Sequence, residues 1–139
     1  MIVEIEIVQT PIVLNDSLPP TLVGTVGATA TFAGAVRGNE AGQPISALEY
    51  EAYQPMAEQT MRAIVADLGQ RHACALVRII HRIGTIPVGE NAIYILTAAA
   101  HRAEALAMIT AFMDRLKQDV PIWKTHALDT SGQPVPPSP

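Results

Sequence analysis

Lys124 and Trp123 form the most informative pair in the sequence, since the chain has two lysines and a single tryptophan. They follow Pro121, directly after a well-patterned helical segment. A lysine amine that is partly shielded from water can act as an acid or base, a charge stabiliser or a transient covalent partner. The alternative is an exposed lysine after a strand, beside a tryptophan that anchors a core or an interface.

His101 and Arg102 open the predicted helix, where backbone N–H groups lack partners within the helix and the helix dipole favours anions. A guanidinium, an imidazole and these backbone donors together could hold a phosphate. The alternative is ordinary solvation of a helix terminus, although basic side chains are disfavoured at that end unless an anion is present. The pair is therefore a candidate anion site.

Arg37 is a third candidate cation, because it ends an apolar run and leads into the polar loop Gly38-Asn39-Glu40. Alone it could equally be a solvated arginine at the end of a hairpin. If the fold brings Arg37, the His101-Arg102 pair and Lys124 together, they make a cationic pocket on a protein whose net charge is -4.

Composition limits the function classes. A net charge of -4 argues against a general binder of nucleic acid or anionic membranes, which use broad basic faces. The longest apolar stretch, residues 92–100, is about half of the roughly 20 residues that a membrane span requires. The amino terminus lacks a cationic leader. We therefore expect a cytoplasmic protein.

Cys74 is the single cysteine, so the chain cannot form an internal disulfide. Its alanine neighbours indicate a small buried hydrophobe rather than a sulfur donor. Neither C-x-x-C nor H-E-x-x-H occurs, and we predict no metal site. Glu49 with Glu51 is interpreted as a solvated strand face, and His81-Arg82 is given no catalytic role.

Periodicity predicts an α+β fold with mixed or antiparallel sheets and two main helices. The helices are predicted from Pro55 to Gly69, with Met56, Thr60, Ile64 and Leu68 on one face, and from His101 to Lys117, with Ala105, Ile109, Phe112, Met113 and Leu116 on one face. The predicted strands are residues 3–7 near a sheet edge, 27–36 and 45–53 as the two arms of a long hairpin, 74–82 and 91–99 joined by a turn, and a short extended piece at 121–124. One domain is predicted for residues 1–129, with a Pro-rich mobile tail at 130–139.

Five motifs in order make the chain resemble the catalytic large subunit family of molybdopterin synthase. They are Gly34-Ala35-Val36-Arg37, Leu48-Glu49-Tyr50-Glu51-Ala52-Tyr53 with Met56-Ala57-Glu58, His81-Arg82-Ile83-Gly84 with Pro87-Val88-Gly89-Glu90, Ala100-His101-Arg102, and Pro121-Ile122-Trp123-Lys124. The resemblance covers residues 27–124.

The resemblance implies an α/β-hammerhead-like core with a small additional sheet. It also implies a homodimer that binds two small ubiquitin-like sulfur-carrier subunits, giving a heterotetramer. The implied reaction converts cyclic pyranopterin monophosphate (precursor Z) to the dithiolene of molybdopterin, with sulfur from a thiocarboxylate at the C-terminus of the carrier. No cofactor or metal is implied at this step.

Carried over residue by residue, the resemblance makes Lys124 the catalytic residue beside the carrier's C-terminus, and Arg37, His101 and Arg102 the pocket for the pterin and its phosphate. In resembling dimers this pocket draws on both protomers. Ala35, Val36 and His126 complete the predicted substrate-binding set. Relatives often have another basic residue after the tryptophan-lysine pair and can carry a lysine at the position of Ala35; His126 could substitute for the missing charge, as a weaker anchor near pH 7.

Two other function classes compete with a sulfur-transferring enzyme. One is a non-catalytic pterin-binding or scaffolding relative that has lost turnover, a reading favoured by the unusual tail. The other is a dimeric interaction protein that uses its acidic surface. The presence of Lys124 together with Arg37, His101 and Arg102 favours the enzyme.

Overall fold

The computed structural model of the protein describes residues 1–136. It has the α+β class predicted from the sequence, with two main helices and both mixed and antiparallel sheets. The strands are β1 (Ile2–Val8), β2 (Ala28–Ala35), β3 (Asn39–Glu40), β4 (Gln43–Pro44), β5 (Ala47–Ala52), β6 (Leu76–Arg82), β7 (Gly84–Pro87), β8 (Asn91–Ala99), β9 (Ile122–Leu128) and β10 (Pro134–Val135), and the helices are α1 (Gln54–Leu68) and α2 (Arg102–Asp119).

The main sheet has the strand order β1-β6-β8-β2. β1 lies at one edge, as its alternating pattern predicted, and pairs in parallel with β6. β6 and β8 are antiparallel neighbours, so the two predicted apolar strands are confirmed. Their connection is more than the predicted turn, because residues Gly84–Pro87 form β7, which pairs with β5 in another sheet. β2 forms the other edge and pairs with β8 along its whole length.

Both helices pack on one face of this sheet. The buried face of α2 consists of Ala105, Met108, Ile109, Phe112 and Leu116, close to the predicted set. The buried face of α1 is shifted from its prediction, because Ala57 and Met61 face the core while Met56 is exposed. Either choice gives a repeat of about four residues, so spacing alone did not fix the rotation of this helix.

The opposite face of the main sheet is covered by the segment between β1 and β2. Ile12, Leu18, Leu22 and Val26 of that segment pack against Leu76, Tyr94, Leu96 and Ala98 of the sheet. Among residues 1–136, no helix is long and apolar enough to cross a membrane.

A second, antiparallel sheet has the order β10-β9-β5-β7, and β3 with β4 forms a separate two-stranded ribbon. This arrangement corrects the predicted hairpin of residues 27–36 and 45–53. β2 pairs with β8 in the main sheet, whereas β5 pairs with β7 and β9 in the second. Alternation shows that a strand has an exposed face but does not identify its partner.

The carboxyl-terminal segment also differs from its prediction. β9 runs from Ile122 to Leu128, beyond the short extended piece that was expected. Pro134 and Val135, in the predicted tail, form β10 and pair with Leu128 and Ala127. The predicted tail therefore includes a short strand. The mobility of the tail stays a prediction, and its residues 137–139 lie outside the described residues.

Candidate functional site

Lys124 lies in the wall of a cleft of about 530 Å³ between the two large sheets and α2. The cleft wall draws on several elements: Gly34 and Ala35 from β2, Tyr50 from β5, His81 from β6, Met113 and Lys117 from α2, and Trp123 and Lys124 from β9. The second sheet therefore brings the predicted catalytic lysine to the end of β2 that precedes Arg37.

The Lys124 ammonium group is paired with a buried carboxylate. Its Nζ lies 3.2 Å from Oε2 of Glu40, a residue of the β3–β4 ribbon. The Glu40 side chain is 8% exposed and the Lys124 side chain 30% exposed. From the sequence alone Glu40 is only part of a polar loop, because a lone glutamate among glycines carries no signal of a buried partner.

Tyr50 connects Lys124 with His81. It is the direct cross-strand partner of Lys124 in the pairing of β5 and β9, so the two side chains share one face of the sheet. Its ring also meets the His81 ring edge-on, with centroids 5.8 Å apart. Burial, followed by the nearby charge of Glu40, raises the pKa of Tyr50, so this phenol stays protonated and can donate a hydrogen bond.

His81 is a neutral imidazole in this cleft. Burial lowers its pKa, although a hydrogen bond to the backbone carbonyl of Arg82 acts in the opposite direction. That bond joins Nδ1 and the carbonyl oxygen over 2.9 Å, so Nδ1 carries the proton as donor and Nε2 is left as the acceptor. His81, for which the sequence predicts no role, lies in the cleft wall.

Trp123 lies at the cleft and is 46% exposed, so it is not a core anchor. An aromatic ring in this position suits contact with a bound molecule or a partner surface.

His126 does not share the Lys124 side of β9. A β-bulge makes Tyr50 the partner of Lys124 and the adjacent Glu49 the partner of His126, so Thr125 is the extra residue. Adjacent residues of a strand point to opposite faces, and His126 therefore lies on the other face, with Nδ1 3.4 Å from Oε2 of Glu49. Within one chain it does not replace a missing basic residue beside Lys124.

The remaining predicted residues divide between the two ends of β2. Ala35 lines the cleft, Val36 is buried in the small core with Ile86, and Arg37 is exposed. His101 and Arg102 are also exposed, with His101 as the residue before the first turn of α2, and no side chain caps that helix.

The ladder between β2 and β8 separates these two groups. Ala28 pairs with Ala99 at one end and Ala35 with Asn91 at the other. The seven residue-to-residue steps from Ala28 to Ala35 span about 23 Å at about 3.3 Å per step. Within one chain the four predicted cations therefore do not form a single pocket, and Lys124 and Arg37 are at the end opposite to His101 and Arg102.

Cys74 is buried, in agreement with its interpretation as a small hydrophobe. Burial, and secondarily the charge of Glu104, raises the pKa of its thiol to about 11. Such a thiol carries little thiolate near neutral pH and is a poor nucleophile. In the described part of the chain, no group of three His, Cys, Asp or Glu side chains is arranged to hold a metal ion.

A family model described as "MoaE protein" matches residues 7–119. The chain belongs to the MoaE family. The match covers the last two residues of β1, strands β2 to β8, both helices and the loop that carries Arg37, so the family assignment rests on most of the fold and not on one motif.

Relatives of this MoaE chain include the molybdopterin synthase catalytic subunit of Homo sapiens, which is 41% identical over 106 residues, or 76% of this chain and 56% of the human protein. The chain thus spans little more than half the length of that relative. The catalytic subunit from Bacillus subtilis (strain 168) is 39% identical over 128 residues, 92% of this chain and 82% of that protein.

Solved structures show the same fold. The crystal structure of molybdopterin synthase from Staphylococcus aureus superposes with a TM-score of 0.78 at 31% identity, and the match covers 91% of this chain and 92% of that one. A chain from the complex of subunits 1 and 2 of the Helicobacter pylori molybdopterin-converting factor has a TM-score of 0.73 at 17% identity, a likeness that concerns the fold alone.

Proposed function

We propose that the protein is the large, catalytic subunit of molybdopterin synthase. In this role it transfers sulfur from the C-terminal thiocarboxylate of a small ubiquitin-like carrier to precursor Z, forming the dithiolene of molybdopterin. The observation that supports this proposal most strongly is the position of Lys124, a partly buried ammonium group in the wall of a cleft, in a chain of the MoaE family.

Lys124 is proposed as the catalytic residue. The thiocarboxylate sulfur first bonds to a substrate carbon, and water then cleaves the acyl–sulfur bond, which leaves the sulfur on the substrate and returns the carrier with a C-terminal carboxylate. An ammonium group already fixed in a partly desolvated cleft would stabilise the oxyanion that develops on the carrier's carbonyl during this cleavage, without reorganisation. Tyr50 adds a neutral donor on the same face. Arg37, His101 and Arg102 are proposed to hold the pterin and its phosphate, with Ala35 at the pocket wall. Roles of Val36 and His126 in substrate binding stay predictions.

A homodimer is proposed because one chain does not hold all four cations together. β2 is an edge strand, and its residues Ala28–Ala35 include no charged residue and no proline. Charged residues and prolines usually protect an edge strand from pairing, so this edge is open to a second strand. If β2 pairs antiparallel with β2 of a second copy, the His101 end of one protomer meets the Arg37 end of the other. Each dimer would then contain two composite pockets.

The carrier subunit is proposed to dock at the open side of the Lys124 cleft and to place its C-terminus beside the amine. Trp123 is the exposed aromatic residue available there for contact. The assembly would be a heterotetramer of two large subunits and two carriers.

Two further predictions are a single domain over residues 1–129 and a cytoplasmic location. Cell fractionation tests the location.

The competing proposal is a pterin-binding or scaffolding relative without turnover. It is less favoured, because a scaffold does not require an ammonium group held in a cleft by a buried carboxylate.

The deciding experiment mixes the purified protein with thiocarboxylated carrier and precursor Z and measures molybdopterin. We expect turnover by the natural sequence and its loss in Lys124→Ala. Arg62→Ala is a control, since it removes an exposed basic side chain of α1 that does not line the cleft. Absence of turnover in the natural sequence, with folding and carrier binding intact, would favour the scaffold.

A further inference from the structure

Glu40 is the feature of the cleft region that the proposed mechanism has not used. It is one of the most buried carboxylates of the described residues, and its Oε2 accepts a hydrogen bond from Lys124 Nζ over 3.2 Å. We propose that Glu40 is a positioning residue, which holds the Lys124 ammonium group at a fixed place in the cleft. The use of this fixed amine in the reaction rests on the proposed function, whereas the fixing of the amine by Glu40 does not.

The β3–β4 ribbon is built to present this carboxylate. Glu40 pairs with Gln43 across a two-residue turn at Ala41 and Gly42, whose φ angles are 54° and 81°. Both angles lie in the left-handed region, as in type I′ hairpin turns, where alanine is unfavourable compared with glycine or asparagine. The Asn39 side chain stabilises the turn by accepting a hydrogen bond from the Gly42 N–H over 2.9 Å. A strained but braced turn therefore fixes the strand position of Glu40.

The geometry indicates that Glu40 holds Lys124 in place and does not block the cleft. Lys124 is part of the cleft wall, whereas Glu40 is a buried partner of the amine that does not itself line the cleft. A carboxylate that blocked the site would occupy the cleft itself. Burial also restricts Glu40, because a buried charge is costly unless it keeps a partner, and Lys124 supplies that partner. The pair therefore constrains Lys124 in the absence of any ligand.

Holding matters because a lysine side chain is otherwise mobile. Its four-carbon stem can adopt many rotamers, and fixing it in advance removes that entropic cost from the reaction. Glu40 also acts on Tyr50: after burial, its negative charge is the second cause that raises the pKa of this phenol. Glu40 thus fixes the charged donor Lys124 beside the neutral donor Tyr50.

The first test observes the amine directly and needs no turnover. The chain has two lysines, so protein made with 13C-labelled lysine gives two sets of side-chain NMR signals, which Lys124→Arg assigns. We expect two distinct ε-methylene proton shifts for Lys124, as in an immobilised side chain, and one averaged shift for exposed Lys117. Glu40→Gln should cause loss of the Lys124 splitting.

Glu58→Gln is the matched control. Glu58 pairs with Arg62 at the same 3.2 Å, but on the exposed surface of α1. Its replacement should leave both lysine signals unchanged. Persistence of the Lys124 splitting in Glu40→Gln would overturn the proposal. Glu40→Asp, which keeps the charge on a shorter stem, provides the same test if Glu40→Gln does not fold, and should reduce the splitting.

The second test links the held amine to the reaction. Glu40→Gln should lower kcat about tenfold and leave KM for precursor Z within about twofold, the pattern of a lost positioning effect. In Lys124→Ala, whose small residual rate is followed as single-turnover molybdopterin formation with excess enzyme, the same change should cause no further loss. Independent, multiplying losses would show a structural role and overturn the proposal. If the natural sequence shows no turnover, the proposed function fails, and the NMR test still decides whether Glu40 holds Lys124.

Discussion

Arg37 and His101 lie beyond opposite ends of the ladder that joins β2 to β8, because Ala35 pairs with Asn91 at one end and Ala28 pairs with Ala99 at the other. A small phosphate ester cannot touch both residues in one chain, since about 23 Å of extended strand separates the two ends. Antiparallel pairing of β2 with its copy would bring one of each together. The proposed chemistry and the proposed dimer therefore depend on the same strand.

A charge placed in the middle of β2 should weaken this dimer. Thr31 is exposed on the edge strand, so Thr31→Lys should fold normally, but it would place two like charges close together across the two-fold axis. We expect the dimer dissociation constant to rise at least about tenfold, which corresponds to about 1.4 kcal/mol. Sedimentation velocity over a range of concentrations measures it.

Thr110→Lys provides the control for that experiment, because Thr110 is exposed on α2 and not on the edge strand. It should leave the association unchanged. A Thr31→Lys protein that dimerises as tightly as the natural sequence would exclude β2 as the dimer contact.

The fold class could be predicted from the sequence, whereas the neighbours of each strand could not. Alternation and turn residues identified β2 and β5 as strands, but their separation into two sheets depends on contacts with β8 and β9, far away in the sequence. The predicted buried face of α1 was wrong for a related reason. Met56 and Ala57 fit the apolar repeat equally well, and only packing against the sheet determines which of them is buried.

The candidate site shows the same limit. Lys124 could be selected because lysine is rare in this chain and follows the single tryptophan. Glu40 and His81 could not, because their significance arises from burial and from contact with residues distant in sequence. The β-bulge at Thr125 likewise has no clear sequence signal, yet it decides that His126 faces away from Lys124.

His81 should make stability depend on pH. Burial holds its pKa below the ordinary value of 6.5, so the folded state keeps a neutral imidazole while the unfolded chain takes up a proton as the pH falls below that value. The stability contribution of neutral His81 is therefore complete above pH 6.5 and declines as the pH falls towards the folded pKa. The slope is at most about 1.4 kcal/mol per pH unit.

Urea unfolding between pH 5 and 7.5 tests this linkage by comparing the natural sequence with His81→Phe. The free energy of unfolding of the variant should be lower by a constant amount at high pH, because the hydrogen bond to the Arg82 carbonyl is lost. Below pH 6.5 the two curves should converge. Parallel curves across the whole range would contradict a neutral, buried His81.

Cys74 should be dispensable for sulfur transfer. Its thiol is buried and its pKa is raised to about 11 from an ordinary 9.0, which leaves about a hundredfold less thiolate near neutral pH. We expect Cys74→Ala to keep molybdopterin formation within about twofold, and iodoacetamide to modify the folded natural protein far more slowly than the unfolded one. Loss of turnover in a well-folded Cys74→Ala would instead point to sulfur passing through the protein.

The most direct test of the composite pocket combines two inactive variants. Arg37→Ala and Arg102→Ala should each abolish or strongly reduce molybdopterin formation when assayed alone. Mixed dimers made by unfolding and refolding the two together contain one pocket with both defects and one with none, so random mixing should restore about a quarter of the natural activity. If the mixture stays as inactive as its parents while mixed dimers are shown to form, each pocket belongs to one chain and the account is contradicted.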